Sequence, residues 1–360
     1  MKICIILGTR PEIIKMSPVI RACDDRDMDY FTLHTGQHYS YEMDRVFFEE
    51  MELPEARYNL DVGSGRHGGQ TGRMLSGIEE VLMKEKPDVV LVEGDTNTVL
   101  AGALAASKLH INVGHVEAGL RSYDRRMPEE INRVLTDHIS DYLFAPTRKA
   151  RENLLKEGID EAMISVTGNT IVDAVYQNLE IAERKSDVLK HSGLKPKEYF
   201  LVTAHRQENV DVKARLKGIL DGLSLVCREF STPAIFPVHP RTCKKIEEFG
   251  LETDGVEMIH PLGFLEFLQL EAGAKLVLTD SGGVQEETCI LKVPCVTLRD
   301  NTERPETLEV GSNTLAGTDP GRIFKGVGQM LNSKNNWENP FGDGSAGEMI
   351  VGITTNSGRI

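Results

Sequence analysis

Short apolar runs, each closed by a glycine or a polar turn, alternate along the chain with longer stretches whose apolar residues recur at helical spacing. In the first half these runs predict strands at 2–7, 30–35, 89–93, 112–117 and 142–145, with helices between them, for example over 97–108 and 128–139. A second series of strands begins at 164–167 and continues through 200–203, 234–238, 256–259, 276–279 and 295–298. Strands alternating with helices build parallel sheets covered on both faces. The expected fold class is therefore α/β, with two Rossmann-like, doubly wound domains. The boundary is expected near residue 165, where the polar stretch 156–161 closes one helix and a fresh strand follows. That gives an N-terminal domain over 1–165 and a C-terminal domain over 166–350. The tail from residue 332 is rich in Asn, Gly and Ser, and its end, 351–360, is a candidate to cross back onto the first domain.

Composition narrows the partners. A chain of 360 residues is long for one average domain and fits two. A formal charge of −14 argues against a nucleic-acid surface, so phosphate chemistry should be local, with a few cations set in an acidic protein. A small phosphorylated ligand fits better than a polymer. The six cysteines, at 4, 23, 227, 243, 289 and 295, form no CxxC pair and mostly lie in apolar contexts, which is core usage in a reducing compartment. The apolar run after Lys2 is too short for a signal peptide, and nothing approaches the ~20 apolar residues of a membrane span. The expectation is a soluble, cytoplasmic protein without a membrane or nucleic-acid partner.

In open α/β sheets, ligands bind beyond the carboxyl ends of the strands, and the chemically suggestive residues stand there. The strand at 276–279 runs into Asp280-Ser281-Gly282-Gly283 and then a helix, leaving free N–H groups at the positive end of a helix dipole, where an anion is welcome. The plainer alternative is an ordinary turn with an N-capping serine. After the first strand come Arg10 and Lys15, two cations at one strand end. The strands at 89–93 and 112–117 lead to Asp95 and Glu117, and Glu129 opens the helix at 128. Singly these carboxylates read as an N-cap, a partner for Arg121 and a first-turn charge. As a set they resemble the paired acids and bases that move protons or steady a cationic intermediate. These three carboxylates lie apart in sequence with no DxD pair among them, which argues against a magnesium site.

In the second half, His205 and Arg206 follow the strand at 200–203, placed to contact a phosphate or carry a proton. His239 repeats the theme more weakly. Arg304, pushed toward extended backbone by Pro305, is free to reach a phosphate or an acid. The run from Gly63 to Gly68 matches GxGxxG, but 58–62 is a poor core strand, so nicotinamide binding is set aside in favour of a mobile glycine loop.

With these residues in hand, the chain resembles the non-hydrolysing UDP-N-acetylglucosamine 2-epimerases over nearly its whole length. The matching motifs are Gly8-Thr9-Arg10-Pro11-Glu12, Glu93-Gly94-Asp95-Thr96, the run from Val116 to Ser122, the run from Pro128 to Arg133, the run from Ala204 to Asn209, the run from Asp280 to Glu287, and Glu303-Arg304-Pro305-Glu306. Their order and spacing carry the resemblance. It implies a glycosyltransferase-B type fold around a UDP-sugar cleft, and interconversion of UDP-GlcNAc and UDP-ManNAc with no redox cofactor and no metal. It implies that Arg10, Lys15, His205, Ser281, Gly282, Gly283, Glu287 and Arg304 hold UDP, with Glu287 on the ribose. Asp95, Glu117 and Glu129, with His205, would form the catalytic set, Asp95 and Glu117 also touching substrate. It further implies a homodimer and a regulatory substrate site at Gln37, Arg66, Arg206 and His239. Intact 117–121 and 128–130 motifs favour the non-hydrolysing branch over a hydrolysing epimerase. A glycosyltransferase of the same fold would need an acceptor, and a UDP-sugar sensor would not need three carboxylates.

Overall fold

The computed structural model describes residues 1–37 and 41–356, the side chains of 41–44 excepted. The chain divides into two compact units, Met1–Gln177 with Phe341–Ile360, and Asn178–Pro340. Among the described residues, the first holds seven strands: β1 (Lys2–Leu7), β2 (Asp29–His34), β3 (Tyr58–Asn59), β4 (Val89–Glu93), β5 (Asn112–Val116), β6 (Tyr142–Ala145) and β7 (Ile164–Val166). Their order in the sheet is β3-β2-β1-β4-β5-β6-β7, and every pairing is parallel. The second holds β8 (Phe200–Thr203), β9 (Ala234–Pro237), β10 (Val256–Ile259), β11 (Leu276–Thr279), β12 (Cys295–Thr297) and β13 (Asn313–Leu315), in the order β10-β9-β8-β11-β12-β13. These pairings too are all parallel.

Each sheet reverses its winding once, between β1 and β4 in the first and between β8 and β11 in the second, the switch points at which doubly wound folds bind ligands. The central strands are apolar along their length because helices cover both faces: β4 and β11 are buried at every position. The turn after β1 is tight. A Cβ on Gly8 would lie 2.0 Å from Thr98 Oγ1 and 2.4 Å from Thr35 Oγ1, so only glycine fits between the end of β2 and the start of the helix Asn97–Lys108.

Four expectations change. The strand at 164–167 opens no second domain; as β7 it pairs with β6 and closes the first sheet. The division falls inside the helix Thr170–Lys185, after Gln177, twelve residues beyond the expected 165. The tail returns earlier than residue 351: the Asn169 N–H donates to Phe341 O at 2.7 Å, and the helix Ala346–Asn356 packs on the helix Arg10–Asp25. Gly347 sits so close that a Cβ there would lie 2.8 Å from the Pro18 carbonyl. The glycine stretch expected as a loop runs into a helix, since His67–Glu85 begins at His67 with Arg66 in the capping position. The edge strands β3 and β13, two and three residues long, carry too few apolar positions to read from sequence. Among the described residues, no helix is long and apolar enough to cross a membrane.

Candidate active site

The first unit gathers carboxylates at the ends of β4 and β5. Glu117 follows β5 with φ +70°, a left-handed backbone that L residues adopt at a cost and that the surroundings must impose. Its Oε1 accepts from Lys15 Nζ at 2.6 Å and from Asn169 Nδ2 at 2.9 Å. Lys15 Nζ also stands 3.3 Å from Glu93 Oε1, at the last residue of β4. Glu93 is 2 % exposed and hydrogen-bonded to Glu117. Burial drives its carboxyl well above the ordinary range; the Lys15 ammonium opposes this, and the Glu117 and Glu12 charges add to the rise. Glu12, also buried, accepts from the Gly8 N–H at 2.6 Å and from the Thr96 hydroxyl at 2.7 Å, tying the loop after β1 to the loop after β4. Burial lifts it to about 7.

Asp95, two residues beyond Glu93, is not the N-cap its position allows. Thr96 takes that role, its oxygen accepting from Thr98 N and Val99 N. Asp95 instead pairs with Arg133. Arg133 also meets Glu130 at 3.0 Å, and Glu130 accepts from Ser122 N, Ser122 Oγ and Tyr123 N, each at 2.9 Å. Burial opposes ionisation of Glu130, but these donors outweigh it and hold the carboxyl low. Glu129 is exposed in the first turn of Pro128–Ile139, its neighbour Glu130 facing inward. Beneath the loops lies a buried brace. His115 Nδ1 is 2.6 Å from Asp137 Oδ1 and its Nε2 2.8 Å from Gly94 O. Asp137 Oδ2 receives Arg121 at 2.7 Å and Gly119 N at 3.2 Å. Arg121 thus belongs to Asp137 and Glu157, and Glu117 is left to Lys15. Arg10 lies over the Phe47 ring, 4.7 Å from its centroid.

The second unit arranges the loops after β8, β11 and β12. Asp280, fully buried, accepts from the backbone of His205 and Arg206 and from Asn209 Nδ2, which fixes the β8 loop against the β11 loop. His205 Nδ1 stands 3.3 Å from Asp280 Oδ1, with the ring half exposed. Ser281 occupies the N-cap of Gly282–Ile290, yet its side chain caps nothing. Imagined Cβ atoms on Gly282 and Gly283 meet nothing closer than 3.9 Å, so the helix start is open in front and bare of side chains. Backbone N–H groups at such a helix start suit an anion, with Ser281 Oγ beside them.

Arg304 is held rather than free, its Nε 2.6 Å from Glu286 Oε1. Glu287 shares a hydrogen bond with the wholly buried Glu271, whose carboxyl burial and the Glu287 charge push well above the ordinary range. Of the residues expected to regulate, Gln37 is buried, its Oε1 taking Thr98 N at 3.0 Å and the Thr98 hydroxyl at 2.8 Å. Arg66 is exposed at a helix start, Arg206 lies 3.8 Å from Glu303, and the His239 side chain caps Pro240–Phe249. Among the described residues, no three His, Cys, Asp or Glu side chains stand as a group able to hold a metal ion.

The chain is similar to known proteins over nearly its whole length. The family model described as UDP-N-acetylglucosamine 2-epimerase matches residues 21–355. The UDP-N-acetylglucosamine 2-epimerase of Methanocaldococcus jannaschii is 61 % identical over 99 % of this chain and 99 % of its own. The crystal structure of the M. jannaschii enzyme in complex with UDP-GlcNAc and UDP superposes with a TM-score of 0.86, covering 99 % of this chain and 100 % of that one. A UDP-2,3-diacetamido-2,3-dideoxy-D-glucuronate 2-epimerase of Pseudomonas aeruginosa is 47 % identical over 92 % of each chain. The two doubly wound units are of the glycosyltransferase-B type shared by these structures, and the chain belongs to the UDP-N-acetylglucosamine 2-epimerase family.

Proposed function

We propose that this chain interconverts UDP-N-acetylglucosamine and UDP-N-acetylmannosamine by inverting C2, without hydrolysis. The observation that carries the reading is Glu117, backbone-strained and gripped by Lys15 and Asn169 at the end of β5, in a chain 61 % identical to an enzyme of that name. The C2 proton is not acidic enough to be taken directly. The C1–O bond to UDP breaks first, the electron pair leaving with UDP, and the cationic character at C1 makes the C2 proton removable. Loss of that proton forms the C1–C2 double bond of 2-acetamidoglucal. Re-addition of UDP at C1 with a proton delivered to the other face of C2 completes the inversion. Every bond broken is remade, so no electron acceptor enters.

Asp95, Glu117 and Glu129 supply the acid, the base and the anion that steadies the cation, and His205 assists the leaving group. Ser281, Gly282 and Gly283 receive the diphosphate, Glu287 the ribose, and Arg10, Lys15, His205 and Arg304 complete the contacts to UDP. The same reading carries a cytoplasmic homodimer that supplies ManNAc-type precursors to surface polysaccharide or glycan synthesis. It also carries substrate activation through Gln37, Arg66, Arg206 and His239, for which sigmoidal kinetics that vanish in Arg66→Ala are the test.

The decisive experiment incubates the protein with UDP-GlcNAc in heavy water and follows C2 by NMR. Deuterium at C2, with UDP-ManNAc appearing and little free sugar, is the expected result. Binding without C2 exchange would sink the epimerase reading. The 2,3-diacetamido glucuronate nucleotide, offered in a parallel reaction, should turn over far more slowly.

A further inference from the structure

Glu93 has no part in the chemistry described so far, yet it is among the most buried acids of the first unit and touches Glu117. A carboxylate has no hydrogen to donate, so two carboxyl groups joined by a hydrogen bond share a proton. Glu117 Oε1 already receives two donors, the Lys15 ammonium at 2.6 Å and the Asn169 amide at 2.9 Å, which favours the ionised form of Glu117. Glu93 is farther from the ammonium, at 3.3 Å, and its side chain is 3 % exposed. The charged and titratable groups that face it are Lys15 and Glu12 from the helix Arg10–Asp25 and Glu117 from the end of β5. Glu12 is turned toward Gly8 and Thr96 and feels His34 beyond. One ammonium among three buried carboxyls cannot balance three negative charges.

We propose that Glu93 is a positioning residue that keeps a proton at neutral pH and donates it in a hydrogen bond to the Glu117 carboxylate, leaving Lys15 and Glu117 as one neutral ion pair. The third donor fixes the direction of a carboxylate that stands on a strained backbone, and it keeps that carboxylate ionised and ready to accept a proton from carbon. The role of Glu93 rests on the reading of Glu117 as a member of the acid/base set.

The test uses two variants of the full chain. Glu93→Gln retains an N–H donor toward Glu117 but carries no titratable proton, whereas Glu93→Leu retains neither. Glu93→Gln should keep kcat for UDP-GlcNAc within about 5-fold, while Glu93→Leu should lose roughly 10- to 100-fold in kcat with KM little changed, the size of a lost hydrogen bond to a charged acceptor. The infrared difference spectrum between the unaltered protein and Glu93→Gln at neutral pH should show one protonated-carboxyl band that only the unaltered protein has. Absence of that band, or a Glu93→Gln variant as impaired as Glu93→Leu, overturns the proposal. Should Glu93→Leu fail to fold, the band and the activity of Glu93→Gln still decide it. Full C2 exchange in Glu117→Gln would remove Glu117 from the acid/base set and leave the band in place, so the two failures are distinguishable.

Discussion

The Asp280 carboxylate receives the backbone N–H of His205 on both of its oxygens, each at 3.1 Å. Arg206 N and Asn209 Nδ2 add bonds at 3.0 and 3.1 Å, so the oxygens of a wholly buried acid at the end of β11 are satisfied by donors from the loop after β8. Asp280→Ala strands these donors in a buried space. It should cost about 2–4 kcal/mol of stability, read as a lower Tm, because buried donors without acceptors carry their full desolvation penalty. UDP affinity should fall with it, since the aim of His205 and the turn into Ser281 depend on the same carboxylate. Unchanged Tm and UDP affinity would show that the loop holds its shape without Asp280.

Ser281 is the complementary case. Its side chain makes no capping bond to the helix it precedes, so its removal leaves the fold nearly untouched. Ser281→Ala should weaken UDP binding about 10-fold or more by calorimetry, the worth of one hydrogen bond to a charged oxygen, with Tm within about a degree of the unaltered protein. A variant that binds UDP equally well would assign the diphosphate to other donors.

Much of this site is legible in the sequence because strand ends are legible. An apolar run that stops at Asp280-Ser281-Gly282 or at Glu93-Gly94-Asp95 announces a carboxyl end, and doubly wound sheets put ligands there. What sequence does not carry is burial. Glu12, Glu93, Glu271 and Asp280 look like ordinary charged residues until the sheet closes over them, and Glu130 is distinguished from Glu129 only by the face of its helix. Membership of a sheet is likewise invisible in a three-residue strand. β7 reads as a new beginning, yet its pairing with β6 delivers Asn169 to the Glu117 carboxylate, a contact that a boundary at 165 assigns to the wrong domain. Gln37 is another case: nothing in the sequence announces that its side chain is buried, with the amide oxygen accepting from Thr98.

Glu271 and Glu287 offer a test of the ribose assignment. Burial, then the Glu287 charge and the shared hydrogen bond, hold the Glu271 carboxyl well above the ordinary range, so Glu271 presents its proton to Glu287. Glu271→Leu removes that donor and leaves Glu287 free to turn. Binding of UDP should weaken severalfold, while binding of pyrophosphate, which has no ribose, should not change. Equal losses for both ligands would mean that Glu271 supports the whole helix start rather than the ribose contact.

Glu12 gives the clearest dependence on pH. Its folded-state pKa of about 7 lies above the ordinary 4.5, so the folded protein binds a proton more tightly than the unfolded chain. The stability this contributes is full below about 4.5, declines as pH rises, and is lost by about pH 7, at roughly 3 kcal/mol for a shift of this size. Glu12→Gln keeps the shape and the links toward Gly8 and Thr96 but cannot titrate. Between pH 5 and 7 its Tm should therefore fall less than that of the unaltered protein, by a few degrees for a difference of this order. Parallel Tm curves over that interval would mean that Glu12 is already ionised at pH 5, with the Gly8 and Thr96 donors outweighing its burial.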